Sequence, residues 1–211
     1  MKLFFCRLLA LWTLLFAAHG HAAGLEYKVG PAPVWVIPVQ PASTSRKPHS
    51  AVRGLEALLS DTQTRIDAGG KTTFVHVANK ALSSSGVETA GNITMEFEPT
   101  YQRLTLHTLQ LVRNGVAMNK LGSARITVLQ RERELEYRIY DGRKSVNVEL
   151  DDLRVGDVVE YAYSVSGSNP VFKNKLSGGA RLQYAVPVDR IFTRLLVPVE
   201  RPLTLSRLLQ N

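Results

Sequence analysis

The sequence predicts an all-β protein: mainly an antiparallel β-sandwich, with short helical turns at most. Two observations predict it. From about residue 52 onward, apolar residues recur with period two in many short to medium runs, and glycine-, asparagine- and aspartate-bearing turns separate those runs. A third observation says what must hold the fold together. The only cysteine, Cys6, lies in a segment expected to be cut off, so the mature chain forms no internal disulfide and depends on a packed core.

Met1–Ala22 reads as a secretory signal peptide. Lys2 and Arg7 form a short positive start, Leu8–Ala18 is apolar except for Thr13, and Gly20-His21-Ala22 places small residues where a signal peptidase reads. His21-Ala22-Ala23 is a weaker alternative site. An uncleaved anchor is the rival reading, but the run is short of the ~20 residues a bilayer needs. A lipid-anchored cysteine would stand at the end of the apolar run, and Cys6 stands at its beginning. No later segment is apolar enough to span a membrane. About 190 residues remain, enough for one sizeable domain, alone or with part of a second.

Residues 23–50 form a proline-rich leader. Pro31, Pro33, Pro38, Pro41 and Pro48 rule out a helix, because each removes a donor and fixes a dihedral. Val34-Trp35-Val36-Ile37 reads as an extended segment against the folded body, anchored by Trp35, with an exposed recognition tail as the alternative. Ala42–Ser50 reads as linker. Residues 51–205 are assigned to the sandwich. Leu55–Ser60 suits a helical turn. Thr62, Thr64 and Ile66 then alternate with charged and polar neighbours until Ala68-Gly69-Gly70 turns the chain. Thr72–Ala81 is the next strand, and Ser83-Ser84-Ser85-Gly86 is read as a turn. Ile93, Met95 and Phe97 share one face of a strand that stops at Pro99. Leu104–Val112 ends at Asn114-Gly115, the strongest short hairpin signal, since a type I′ turn needs positive φ at both central positions. Further strands are Ile126–Leu129, Val146–Leu150, Val158–Val165, Leu182–Val186 and Ile191–Val197. Leu129–Tyr137 suits a short helix as well as an edge strand. Residues 206–211 are read as the truncated start of further sequence, because a lone apolar edge is a hazard unless it pairs onward.

Val158–Val165 shows why two layers are needed. Val159, Tyr161, Tyr163 and Val165 point one way, and Val158, Glu160, Ala162 and Ser164 the other. The first set is worth ~1.5–3 kcal/mol for each large side chain fully buried, and a second layer must cover it. Gly156 relieves the limit on φ in the preceding turn, and Asp157 bonds that turn.

The chain carries 26 basic and 18 acidic side chains. Without Lys2 and Arg7 the balance is +6. A basic exported domain suits anionic lipid, lipopolysaccharide or acidic glycan, but the charges are scattered and read better as a solvated face. Nucleic acid is not expected, because no binding motif is present.

The chemistry signals are weak. Thiol catalysis is excluded once Cys6 is removed. There is no Gly-x-Ser-x-Gly elbow. His76 and His107 fall in strands and His49 in the linker. A triad of His76 or His107 with Asp141 or Asp157 has no support in the spacing. No two histidines have metal-ligand spacing. Asp151-Asp152 lacks a calcium loop around it and reads as a plain turn. Gly69-Gly70 and Gly178-Gly179 read as hairpin glycines. Tyr27, Trp35, Tyr137, Tyr140 and Tyr184 are candidates for a sugar platform, though strand aromatics more often serve packing. No catalytic, cofactor-binding or metal-binding residue is assigned.

Three passages carry a resemblance. They are Leu106–Gly115 (LHTLQLVRNG), Tyr140-Asp141-Gly142-Arg143, and Leu150–Phe172 with Val155-Gly156-Asp157-Val158-Val159-Glu160-Tyr161 at its centre. Together with Val29-Gly30-Pro31-Ala32-Pro33-Val34-Trp35, they resemble the β-rich domain of unknown function that precedes a transglutaminase-like domain in bacterial envelope proteins. The resemblance spans roughly residues 25–205. It implies an exported multidomain parent whose papain-like catalytic part uses a Cys-His-Asp triad on amide bonds. No residue here matches that triad. The expected function is thus a non-catalytic module of the periplasm or cell envelope that positions, or presents substrate to, a C-terminal transglutaminase-like domain. The rivals are a stand-alone envelope glycan- or lipopolysaccharide-binding module and a serine or carboxylate hydrolase. An envelope glycan or peptide is the second partner considered. No cofactor is expected, nor any transmembrane segment after cleavage.

Overall fold

Side chains that alternate across the pleat sort these strands into two sheets. The computed structural model describes residues 27–43, 54–68, 70–130, 142–172, 175, 179, 184 and 187–204. The strands in chain order are β1 (Lys28–Val29), β2 (Leu55–Asp67), β3 (Gly70–Ala81), β4 (Asn92–Phe97), β5 (Arg103–Arg113), β6 (Val116–Asn119), β7 (Arg125–Gln130), β8 (Lys144–Glu149), β9 (Val158–Ser166) and β10 (Ile191–Leu196). One helix, α1 (Ser84–Gly91), lies between β3 and β4, and a 3₁₀ turn spans Pro170–Phe172. The all-β class is as expected. The signal segment, most of the Ala42–Ser50 linker, residues 131–141, most of the expected strand Leu182–Val186 and the expected onward start at 206–211 lie outside the described residues.

The large sheet has the order β1-β5-β9-β3-β2-β10, with β6 beside β5. The small sheet has the order β4-β8-β7. Leu104, Leu106, Leu109, Leu111 and Val159 of the large sheet meet Ile93, Met95, Phe97, Val146 and Val148 of the small one, all at most 5% exposed. The face of β9 carrying Val159 does turn inward, with Tyr161, Tyr163 and Val165 packed at the edge of this core.

Four features depart from the expectation. Leu55–Ser60 is strand, not a helical turn, because cross-strand pairing with β3 runs from Leu55↔Ala81 onward and overrides local preference. Ser83-Ser84-Ser85 opens α1 instead of a turn: Ser83 is extended, and its Oγ accepts from the Gly86 amide as an N-cap. Two pairings are parallel, β1 with β5 and β10 with β2, since both are joined by long crossings and not by hairpins. The outer face of the large sheet is also largely buried, with Ala162 and Ser164 each 4% exposed.

That outer face is crossed by the leader. Gly30 N donates to Leu106 O, Ile37 N to Gln63 Oε1, and Ala42 N to Leu58 O. Arg194 Nη1 donates to the Trp35 carbonyl at 2.7 Å. The leader therefore lies against the folded body as the sequence suggests, fixed at Trp35 through its backbone, but Val34–Ile37 is not an extended run: Val36 N donates to the Pro33 carbonyl at 3.0 Å, so Val34 and Trp35 form a turn that leaves Val34 exposed.

The expected hairpin at Asn114-Gly115 is present, with φ of 51° and 80° and the pairing Arg113↔Val116. Gly156 has φ 95°, and Asp157 Oδ2 accepts from Arg154 N at 2.9 Å, so that turn is built as the sequence suggests.

Candidate functional site

A register shift in β5 places the first polar constellation. Leu106 pairs with Tyr163 but Thr108 pairs with Ala162, so His107 is an extra, bulged residue. The bulge resets the pleat, keeps Leu104, Leu106, Leu109 and Leu111 in the core, and turns His107 toward the outer face. Its Nδ1 bonds the Gly30 carbonyl at 2.9 Å. A carbonyl only accepts, so Nδ1 donates. In the neutral ring Nε2 then accepts from Ser164 Oγ, also at 2.9 Å. Phe74 stacks on the ring, with centroids 5.8 Å apart.

The second histidine has a different partner. His76 Nε2 donates to Glu160 Oε1 at 2.7 Å, and Gln110 Nε2 donates to Oε2 at 2.7 Å. Burial pushes the Glu160 carboxyl up, but the bonds from His76 and Gln110 outweigh it and hold the group below the usual glutamate value. Opposite His76 in the register lies Asp61, 1% exposed, whose Oδ1 has no hydrogen-bond partner. Burial raises its pKa against the opposing pull of the Gln63 bond and of His76.

Neither histidine meets Asp157. That carboxylate sits in the turn before β9, where Arg113 Nε reaches Oδ1 at 2.9 Å and Nη2 reaches Oδ2 at 2.7 Å. Asp152 is engaged by Arg113 and Arg154. Asp141 and His49 lie outside the described residues. Ser164 and His107 do form a nucleophile–base pair, but Ser164 is sealed beneath the leader. As folded, this pair ties the leader to the sheet. Face parity is the sequence signal for it: Ser164 falls on the side of β9 away from the core, where the bulge sends His107.

The expected aromatic platform is not brought together. Tyr27 packs at the β5 edge of the core, whereas Tyr184 Oη bonds Ser60 Oγ on β2, three strands away in the sheet order. Trp35 belongs to the leader near β10. Tyr137 and Tyr140 lie outside the described residues.

A cavity of about 320 Å³ opens at one end of the sandwich. Its floor is Val75, Tyr163 and Val165 of the large sheet with Phe97 of β4. Lys71, Arg143, Glu96 and Glu98 supply two cations and two carboxylates. Thr73, Tyr101 and Gln102 complete the wall. Glu98 is 7% exposed and is held by the Thr100 amide and hydroxyl. Burial and the Glu96 carboxylate raise the Tyr163 phenol, and burial with Tyr163 pushes Tyr161 up to about 12, so both rings are neutral near pH 7. Among the described residues no group of three or more His, Cys, Asp or Glu side chains forms a metal cluster. No helix among them is long and apolar enough to cross a membrane.

With this geometry in place, the comparisons are informative. Residues 67–210 match DUF3857, a domain of unknown function with a solved structure. No curated protein matches the chain. The chain is similar to a crystal structure described as a "putative protease" from Parabacteroides distasonis ATCC 8503, with TM-score 0.50 and 16% identity. That match covers 56% of this chain and 24% of the other, and it establishes likeness of fold alone.

Proposed function

The chain belongs to the DUF3857 family, and from that membership we propose that it is a non-catalytic, exported module that positions a transglutaminase-like domain or presents substrate to it. One observation carries the reading. The 56% of this chain that matches in fold occupies only 24% of a much longer chain described as a "putative protease", a size relation that suits an accessory unit beside a catalytic one. The sealed Ser164–His107 pair supports it, because a substrate carbonyl has no approach to a serine 4% exposed.

The test has two arms. The chain alone, incubated with a fluorescent casein substrate, is expected to release nothing above background. In the parent polypeptide, reading past Asn211 is expected to reveal a domain with cysteine, histidine and aspartate. Deleting residues 27–204 there should lower kcat/KM on a protein substrate by about tenfold and leave a small amide substrate within about twofold. Hydrolysis by the chain alone that disappears in Ser164→Ala overturns the reading, as does a stop codon with no such domain.

A further inference from the structure

From Val29 to Ser45 the leader carries no charged side chain, and it lies over a face of the large sheet where ionisable groups gather. Ile37 bonds Gln63 through both its N–H and its C=O. Val39 packs on the cluster of Leu58, Leu59 and Ala78, and Ala42 N donates to the Leu58 carbonyl. The leader thus runs along β2 in the opposite direction, from Gln63 to Leu58. Asp61 lies between these contacts and shares the outer face with Leu59 and Gln63, because side chains alternate along a strand. Its side chain is buried, with the residue 1% exposed. Oδ2 accepts from Gln63 Nε2 at 3.1 Å, and Oδ1 has no hydrogen-bond partner among the described residues.

The groups around Asp61 come from every neighbouring element. On β3, His76 stands opposite it and donates to Glu160 of β9, whose second oxygen takes Gln110 of β5. On β10 the opposite residue is Phe192. Arg190 and Arg194 stand two residues to either side of Phe192, and their guanidinium groups are engaged by the leader carbonyls of Gln40 and Trp35. Asp189 lies beside Ala57, at the far end of this edge. The leader itself brings no charge to meet Asp61. An ionised oxygen without a donor is costly in such a place, far more so than a neutral acid or a hydrated carboxylate. The leader is the shortest route to water. None of residues 31–43 is fully buried, and none enters the core that the two sheets share.

We propose that Asp61 is a pH-sensitive latch for the leader. Protonated, it sits beneath a docked segment; ionised, it draws water in and shifts residues 35–42 toward release while the sheets stay stacked. Burial raises the pKa of this carboxyl in the docked form, ahead of the opposing pull of the Gln63 bond and of His76. Docking is therefore strongest below the ordinary aspartate value, about 3.9, and weakens as pH rises through the docked value. Glu160 is held below the usual glutamate value and has the opposite sign, so substitutions at Asp61 isolate the latch. The latch is independent of any catalytic partner and goes beyond the accessory role proposed above.

The experiment is hydrogen exchange on the chain from about pH 4 to about pH 8, read as protection factors, which divide out the intrinsic rise of exchange with pH. The open form is a minor species, and the Ile37 amide reports it. Its opening is expected to rise by up to about tenfold per pH unit, the slope for one proton, and then to level off, with the β8 amides not following it. In Asp61→Asn and in Asp61→Leu the Ile37 value should stay level within about twofold over the same range, while Asp189→Asn should keep the parent's slope. Far-UV circular dichroism like that of the parent verifies folding of each variant. A level Ile37 value in the parent overturns the proposal. So does the parent's slope persisting in either Asp61 variant, or its loss in Asp189→Asn. An equal rise at the β8 amides also overturns it, since that marks unfolding of the whole sandwich instead of release of the leader.

Discussion

Asp157 joins segments 44 residues apart, because its carboxylate, 3% exposed, takes both arms of the Arg113 fork and the Arg154 amide. The Arg113 bond is the main reason its pKa lies below the usual aspartate value, ahead of the opposing effect of burial. The sign follows from linkage. A carboxyl with a depressed folded pKa contributes stability that is present above its unfolded value, about 3.9, and lost as pH falls through the folded value. Asp157→Asn should therefore lower stability by about 2 kcal/mol at pH 7, in the range for a charge-assisted bond in a half-shielded pair. The difference from the parent should shrink as pH falls below 4, which urea midpoints across pH 3–7 would measure. Asp61 has the opposite sign: burial raises its pKa, so its ionisation costs stability as pH rises past the ordinary carboxyl range. The Gly156-Asp157 turn was legible because its chemistry is local. Asp61 was not, since its burial comes from strands and a leader distant in sequence.

At the level of elements, the bulge in β5 and the leader explain each other. The spacing of Leu104, Leu106, Leu109 and Leu111 slips by one residue at His107, and that slip is written in the sequence. What it accomplishes is visible only once Gly30 and Ser164 arrive from elsewhere. Gln63 is the matching tie on β2: fully buried, it bonds both the N–H and the C=O of Ile37 and also Asp61 Oδ2. Gln63→Leu leaves those groups without partners at a cost of about 2–3 kcal/mol. Its expected signature is loss of exchange protection at the Ile37 amide while amides in β8 stay protected. Equal loss in both places would mean that Gln63 supports the whole fold and not the leader alone. Leu55–Ser60 was misread for the same kind of reason. Its residues suit a helix in isolation, and only pairing with β3 makes them strand.

For the molecule as a whole, the period-two pattern and the turn residues were enough to predict the class, because two stacked sheets are the economical way to cover so many alternating apolar faces. The cavity was out of reach. It is assembled from β3, β4, the Glu98–Gln102 turn, Arg143 and β9, places with no common spacing. Since the core is built from both sheets, damage to either should unfold both. Met95→Ala in the small sheet and Leu109→Ala in the large one are each expected to cost about 2–4 kcal/mol. In a variant lacking residues 1–22, which removes Trp12, Trp35 is the only tryptophan. Its fluorescence, which reports the leader, should therefore change at the same urea concentration as far-UV circular dichroism, which reports the sheets. The leader also spans the large sheet crosswise. It is hydrogen-bonded at β5 through Gly30 and at β10 through Trp35, and Arg190 reaches the Gln40 carbonyl. A tensile load drawn along that segment is thus shared between strands on either side of the sheet instead of peeling one strand.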